Sequence, residues 1–474
     1  MRASLRSAVS TAALLLAACS TPTPVGLTPT DVPSAFSATI PQGAQVWPSP
    51  AWWNTFTSPE LGKLEDGAQA NNLDLAVAMA NVLEAQAQTG IVGAQLFPDA
   101  TVSASARRGG GPKAQGVPTR NSFNATASAS YLVDLWGQAR DNLRAAEASL
   151  RASQYARQTV AITVAADVAN TYFNVLSLRE QVAITQQNIA AAQRILTITK
   201  AKVTNGVSSN LELSQQEATV AGQEALLPNL EEQEREARYA LAVLEALPPE
   251  GFNVQAQNLD GINPPLVAPG LTSELLTRRP DIAQAEANLA AAHASVDAAR
   301  AAFFPQISLT GSAGFTSSML SHLFNPSSFL WDIGASVLET IFNGGLHAAQ
   351  SDLAKAQEKA LIATYRSTVL NAFSDTESAL GQVSAFAEQQ RYTQEQVNAA
   401  AEAFRISELQ YREGVTDLLA VLQAQQTLFS SENNLVQAKL AHLKAIVALY
   451  QALGGGWTVA STPKMPDANH FRLF

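Results

Sequence analysis

Asn71 opens the stretch NNLDLAVAMANVLEAQAQTGIVGAQLFPDATVSASA, and Arg278 opens RRPDIAQAEANLAAAHASVDAARAAFFPQISLTGSA. Asp74 and Asp281, Asn81 and Asn288, Pro98 and Pro305, and Gly137 and Gly344 keep a spacing of 207 residues; Gly206 and Gly414 follow at 208. Whatever one copy builds, the other must build again, and the two must fit each other. The copies span residues 51–246 and 271–457. Between them, residues 247–270 form a Pro-rich join expected to carry little regular structure, and residues 458–474 form a tail.

Each copy reads as a helix, two strands, a very long helix, a sharp break and another long helix. The first helix is Ala-rich and stops at Phe97-Pro98 or Phe304-Pro305, because the residue before proline avoids the helical region. Strict alternation follows. Phe123, Ala125, Ala127, Ala129 and Tyr131 alternate with Asn124, Thr126, Ser128 and Ser130; Ile307, Leu309, Ala313 and Phe315 alternate with Ser308, Thr310 and Ser312; Phe329, Trp331, Ile333, Ala335 and Val337 continue the habit. Period two over roughly ten residues suits a strand of a membrane barrel, and equally a half-buried strand of a soluble sandwich.

No proline interrupts Gln138–Thr204 or Leu346–Arg412, so each predicts a helix about 100 Å long. Val175, Val182, Ile189, Leu196 and Val203 form a heptad series; Val383, Val397, Phe404 and Tyr411 form another, with Gln390 breaking it. The last helix shows two adjacent seams, Val421, Leu428, Leu435 and Leu449 beside Leu422, Phe429, Val436, Leu443 and Tyr450. Two seams let a helix contact partners on both sides, as the wall of a helical cylinder requires. Four strands cannot close a membrane barrel, and open edges are not tolerated in lipid. Subunits sharing one barrel resolve the conflict; three chains would supply twelve strands.

The single cysteine, Cys19, ends an apolar run, Ala8 to Ala18, preceded by Arg2 and Arg6. That run is too short to span a bilayer. Leu16-Ala17-Ala18-Cys19 resembles a bacterial lipobox, which implies that residues 1–18 are a removed signal peptide and that Cys19 is acylated. Ser20 in place of Asp favours delivery to the outer membrane, and residues 19–50 then form a lipid-anchored extended segment. Thirty Lys and Arg against forty Asp and Glu give a net charge of −10, which argues against a nucleic-acid partner. The five histidines are scattered, with no metal-ligand spacing among them. No nucleophile–base arrangement is present, so neither an enzyme nor a cofactor is expected.

LLTRRPDIAQAEANLAAAHASVDAARAAFFPQISLTGSAGF and YREGVTDLLAVLQAQQTLFSSENNLVQAKLAHLKAIVALYQALGGGW resemble, in order, the signature and C-terminal helix of the TolC/OprM outer-membrane efflux family, specifically its NodT-type lipoproteins. The resemblance implies a mainly α fold with a membrane β-barrel: a homotrimer with four strands per chain, continued by a long α-helical barrel and belted by a mixed equatorial region. It implies a passive duct in the outer membrane, exporting small molecules such as drugs. Its partners would be a periplasmic adaptor (membrane fusion) protein, an inner-membrane RND-type pump and outer-membrane lipid. The exit duct of a type I protein secretion system shares this fold. A non-channel structural lipoprotein would share its helices.

The breaks TNGVSSNLEL and REGVTDLLAV occupy the same place in both copies, with a glycine making each turn. By the resemblance they are the periplasmic tips, and Gly206, Val207, Gly414 and Val415 contact the adaptor. Leu409, Tyr411, Arg412, Glu413 and Asp417 are the gate candidates, with Arg412 placed to bridge to Asp417 or Glu413 of another helix pair. Ala420 and Gln423 stand where some relatives carry a ring of acids, which leaves Asp417 as the nearest substitute. RRPD at Arg278 to Asp281 reads as a helix start, with Pro280 in the first turn and Asp281 near the positive helix end. The glycines at Gly109 and Gly454 read as a barrel loop and a helix stop.

Overall fold

The computed structural model describes residues 33, 35–36, 45–110, 119–265, 267–268, 270 and 272–459. Cys19, the expected signal segment and most of residues 19–50 lie outside the described residues, as does the tail beyond 459. In chain order the elements are β1 (Gln45–Val46), a 3-10 turn (Trp52–Phe56), α1 (Pro59–Asn71), α2 (Leu73–Ala94), β2 (Asp99–Gly109), β3 (Arg120–Val133), α3 (Gln138–Thr204) and α4 (Asn210–Leu244). The second copy follows with β4 (Val267–Ala268), α5 (Thr272–Arg278), α6 (Pro280–Ala301), β5 (Gln306–Ser317), β6 (Phe329–Leu338), α7 (Leu346–Arg412) and α8 (Leu418–Ala452). The single first helix expected of each copy is split in two. Asn72 makes one break, because its side chain accepts from the Asp74 and Leu75 amides and starts a new helix. Pro280, at the first position of α6, makes the other.

β2, β3, β5 and β6 form one antiparallel sheet in that order. Its register puts Val102 opposite Ala127, Ala127 opposite Ala313, and Ala313 opposite Trp331. One face is thereby apolar over most of its height, from Ala100 and Val102 across Phe123 and Tyr131 to Ile333 and Val337, with Arg108, Asn121 and Ser317 at its top. The other face is hydroxyl-rich. Thr101 meets Ser128 at 3.0 Å, Ser308 meets Ser336 at 2.8 Å, and Thr316 donates to Asn124 at 3.0 Å. The apolar face is not covered: Ile333 is 79% exposed and Val102 87%. Trp136 stacks on Phe304 at 4.9 Å at the base of the sheet, and the Phe315, Phe324 and Phe329 rings cluster at its top. An apolar band between two aromatic girdles is the surface of a membrane barrel.

Below the sheet, α3 packs against α2 and α6, and α6 against α7; further along, α3 packs against α4 and α8, and α8 against α7. Each level is thus a four-helix slab with two open edges. Both seams of α8 are used: Val421, Leu428, Leu435 and Leu449 are buried, as are Phe429, Val436, Leu443 and Tyr450. On α3 the apolar heptad is buried at Val175, and beyond it the buried line departs from the heptad. Gln181, Thr185, Asn188, Ala192, Ile195 and Thr199 are buried at alternating spacings of four and three, whereas Val182, Ile189, Leu196 and Val203 are half-buried. This line serves more than one neighbour: Gln216 of α4 donates to the Ala192 carbonyl at 2.8 Å, whereas Ile195 and Thr199 meet Tyr411 of α7.

A belt of shorter segments packs on α3 and α8 at mid-height. Trp52 stacks on Tyr450 at 4.8 Å, and Phe56 lies 5.2 Å from Phe173. The Pro-rich join is held by hydrogen bonds in place of regular structure. Arg179 donates to the carbonyls of Val254 and Ala256 at 2.6 and 2.8 Å, the Gln255 and Ala256 amides donate to Glu60, and the Leu259 amide donates to Glu180. β4 at the end of the join pairs in parallel with β1.

The belt also buries an uncompensated carboxyl. Glu65 on α1 is fully buried, and burial, with Glu245 and Asp66 nearby, pushes its carboxyl up to about 9. Burial pushes Glu245 up to about 7. A raised carboxyl pKa means the native state holds protons that the unfolded chain, titrating near 4.5, releases. The contribution is full below about 4.5 and is lost as pH rises through the folded values. The melting temperature should therefore fall between pH 5 and 9, and Glu65→Gln should flatten that fall. A wild-type profile that rises over this window would contradict the burial argument.

Candidate functional site

The two helix breaks come to the same end of the slab, about 100 Å of helix away from the sheet. Both turns are built alike. Gly206 has φ +71° and Gly414 +79°, the left-handed region, with open space where a Cβ would stand. Glycine is needed there for backbone conformation, not for room. The Val207 amide donates to the Lys202 carbonyl at 2.9 Å and the Val415 amide to the Gln410 carbonyl at 2.8 Å, closing both helices identically. Val207 and Val415 project outward, 72% and 75% exposed. The next helices start on side-chain caps. Ser209 and Glu212 form a capping box on α4, and Asp417 accepts from the Ala420 amide at 3.0 Å on α8.

The five gate candidates lie near the second turn, and the fold treats them differently. Tyr411 is buried, 2% exposed, in a cluster with Ile195, Phe404, Leu418 and Val421. Its hydroxyl lies 3.1 Å from Thr199 Oγ1, whose own proton goes to the Ile195 carbonyl, so Tyr411 is the donor. Lys202 Nζ donates to the Tyr411 carbonyl and sits 4.1 Å from the ring centroid. This is the link between α3 and α7 at the tip. Arg412 is exposed and pairs within its own chain, Nε to Glu413 Oε1 at 3.3 Å. Asp417 is occupied as a helix cap, and Leu409 is 44% exposed on α7. Arg194 and Glu408 add a looser α3–α7 pair at 3.8 Å.

Thr199 and Lys202 were not read from the sequence as tip residues. The available signal was their place seven and four residues before Gly206, in the α3 line that polar residues disguise. Among the described residues no group of three or more His, Cys, Asp or Glu could hold a metal ion, and no helix is long and apolar enough to cross a membrane. RRPD is structural. Arg279 pairs with Asp281 at 2.7 Å and Asp375 at 3.2 Å, and donates to the Ala452 carbonyl at 3.2 Å, fastening α6 to the end of α8.

The profile of the outer membrane efflux protein family matches residues 64–245 and 271–455, one match for each copy of the repeat. A pyoverdine export outer membrane protein, OpmQ of Pseudomonas aeruginosa, is 40% identical over 459 residues, covering 94% of this chain and 96% of its own. Among solved structures, the outer-membrane channel OprN is 28% identical with a TM-score of 0.84, covering 90% of this chain and 98% of its own. The open-state MtrE outer membrane channel of Neisseria gonorrhoeae is 31% identical with a TM-score of 0.82, covering 90% and 96%. The fold, with its four-stranded sheet and long helices, is thus shared with known outer-membrane channels, and the chain belongs to the outer membrane efflux protein family.

Proposed function

We propose that three copies of this chain close a twelve-stranded barrel in the outer membrane and a helical tunnel beneath it, forming the passive outer-membrane duct of a tripartite efflux system. One observation carries the oligomer: every layer of the protomer ends in unsatisfied edges. Among the described residues β2 and β6 have no outer neighbour in the sheet, and edges in lipid must be paired. Leu73, Val77 and Ile91 on α2, Leu211 and Val243 on α4, and Leu353, Leu370 and Tyr392 on α7 lie exposed on the edge helices of the slab. Pairing β2 with β6, and α2 and α4 with α7, of the next copy covers all of them together.

Acylated Cys19 would add an anchor to that of the barrel. Native mass spectrometry of the detergent-solubilised mature protein should give a three-chain species carrying lipid mass on each chain. A monomer would overturn the shared barrel; a trimer without lipid would remove the anchor alone.

The duct carries no energy source, so the tips are the place where a periplasmic adaptor and an inner-membrane RND-type pump would engage it. Exposed Val207 and Val415, paired by the repeat, give the adaptor two similar docking knobs per chain. The export of a small molecule named for OpmQ supports small-molecule cargo for this chain over protein secretion. Gating is assigned to the Tyr411–Thr199 and Lys202–Tyr411 links, because they are buried or half-buried, whereas Arg412 makes only an exposed pair worth about 0–1 kcal/mol. Each hydrogen bond contributes on the order of 1 kcal/mol, repeated in three chains. In planar bilayers the protein should form channels, and Tyr411→Phe with Lys202→Ala should conduct more than wild type while assembling normally. Absence of channels from correctly assembled protein would defeat the duct; equal conductance would move the gate to other residues, with Leu409 next.

A further inference from the structure

The charged residues of the sheet are arranged by height as well as by face. Arg107 lies opposite Ser122, and Arg120 lies opposite Gly109. Both fall on the face that carries Thr101, Ser103, Ser105, Asn124, Thr126 and Ser128, the polar face. Arg108, between them in height, lies opposite Asn121 on the apolar face with Ala106 and Phe123. Arg107 and Arg120 are diagonal neighbours, with backbone positions about 7–8 Å apart. All three arginines are exposed.

No acid balances them. The sequence has no Asp or Glu between Asp99 and Asp134 or between Asp297 and Asp332, so the outer parts of both hairpins are free of carboxylates. The acids of the polar face stand deeper. Asp99 and Asp332 line one shallow pocket with Thr101, Ser128, Thr310 and Ser312. Asp99 is eight residues below Arg107 along β2, about 26 Å at the rise of a strand. Two like charges placed side by side without a counter-charge are held at a cost that an anion would remove.

We propose that Arg107 and Arg120 form an anion-binding ring at the outer mouth of the duct, and that its ligands are compact soluble polyanions bearing phosphate or carboxylate groups. This rests on the duct function above, which places the polar face around the lumen. Two arginines per chain become six in a three-chain barrel, all reaching the same aqueous mouth. Guanidinium groups recognise phosphate and carboxylate with paired, charge-assisted hydrogen bonds. Below the ring, the Asp99 and Asp332 belt repels an anion from sinking back, so anionic cargo meets a field that favours its outward position. At physiological salt the field reaches only about 8 Å, so it acts on solutes near the wall.

Inositol hexakisphosphate added to channels in planar bilayers tests the ring. Wild type should be blocked from one side only at low salt, with the block removed at high salt. Arg107→Gln with Arg120→Gln should raise the half-blocking concentration about tenfold or more. Arg108→Gln, which removes the same charge from the other face, should leave it unchanged. An insensitive wild type, a double variant that blocks like wild type, or loss of block in Arg108→Gln each overturns the ring. If correctly assembled protein forms no channels, the duct function falls, and equilibrium dialysis of the same polyanion against wild type and the double variant in detergent decides the ring by itself.

Discussion

Replacing Ile333 by arginine is expected to stop the chain from assembling in the outer membrane. Ile333 is at the middle of β6, opposite Gly311, in a row that runs through Ala129 to Ala100 without a polar side chain. An arginine on the lipid side of a barrel near mid-depth costs about 2–4 kcal/mol, and three chains repeat the cost within one barrel. Ser312→Arg is the matched control. Ser312 lies opposite Asp332 on the hydroxyl-rich face, where a cation is hydrated and has an acid beside it. Outer-membrane fractions run with and without heating should show the assembled species for Ser312→Arg and lack it for Ile333→Arg. The reverse outcome would mean that the faces of the sheet have been assigned the wrong way round.

Gly454→Ala is expected to unfold the belt, although it adds one methyl group. The three glycines after α8 all have positive φ, +83°, +56° and +77°. They do more than stop the helix. A Cβ on Gly454 would overlap the carbonyl of Arg278, and one on Gly456 would overlap the backbone of Ser49 and Pro50. Neither obstacle can rotate away, because both are main chain, and Arg279 already ties the α5–α6 junction to Ala452, Asp281 and Asp375. The combined clash and left-handed strain should destabilise by more than about 4 kcal/mol, at the far end of single-residue effects. Gly222→Ala gives the contrast. It lies within α4 with open space around its missing Cβ, so alanine there should stabilise by about 0.5–1 kcal/mol. Thermal unfolding in detergent compares the two. Equal melting temperatures would mean that the glycine run is only a helix stop.

The same two sites show what a linear pattern can carry. Alternation from Phe329 to Val337 placed Ile333 on the apolar face of its strand before any register was known, since side chains on a strand have period two whatever it pairs with. Proline-free runs set α3 at Gln138–Thr204 and α7 at Leu346–Arg412, because backbone propensity is local. The duplication required both hairpins, both long helices and both glycine turns to recur. Counting strands against the smallest closed barrel then required more than one chain.

What the tertiary structure decided is which groups meet. Tyr411 stood in a visible heptad, but its partners Thr199 and Lys202 lie more than two hundred residues earlier, on a helix whose buried line is partly polar. Beyond Val175 the apolar heptad of α3 pointed one step away from the buried line, which Gln181, Asn188 and Ile195 occupy. Asp417 looked like a free acid near a turn and is used as a cap; the Pro-rich join looked loose and is fastened by Arg179, Glu60 and Glu180. Glu65 gave no sign at all, because burial depends on what distant segments cover it. Period and backbone preference are properties of a few neighbouring residues, and so are written along the chain. The rotation of each long helix about its axis, and with it every pairing at the tip and the belt, is set by packing summed over the whole slab.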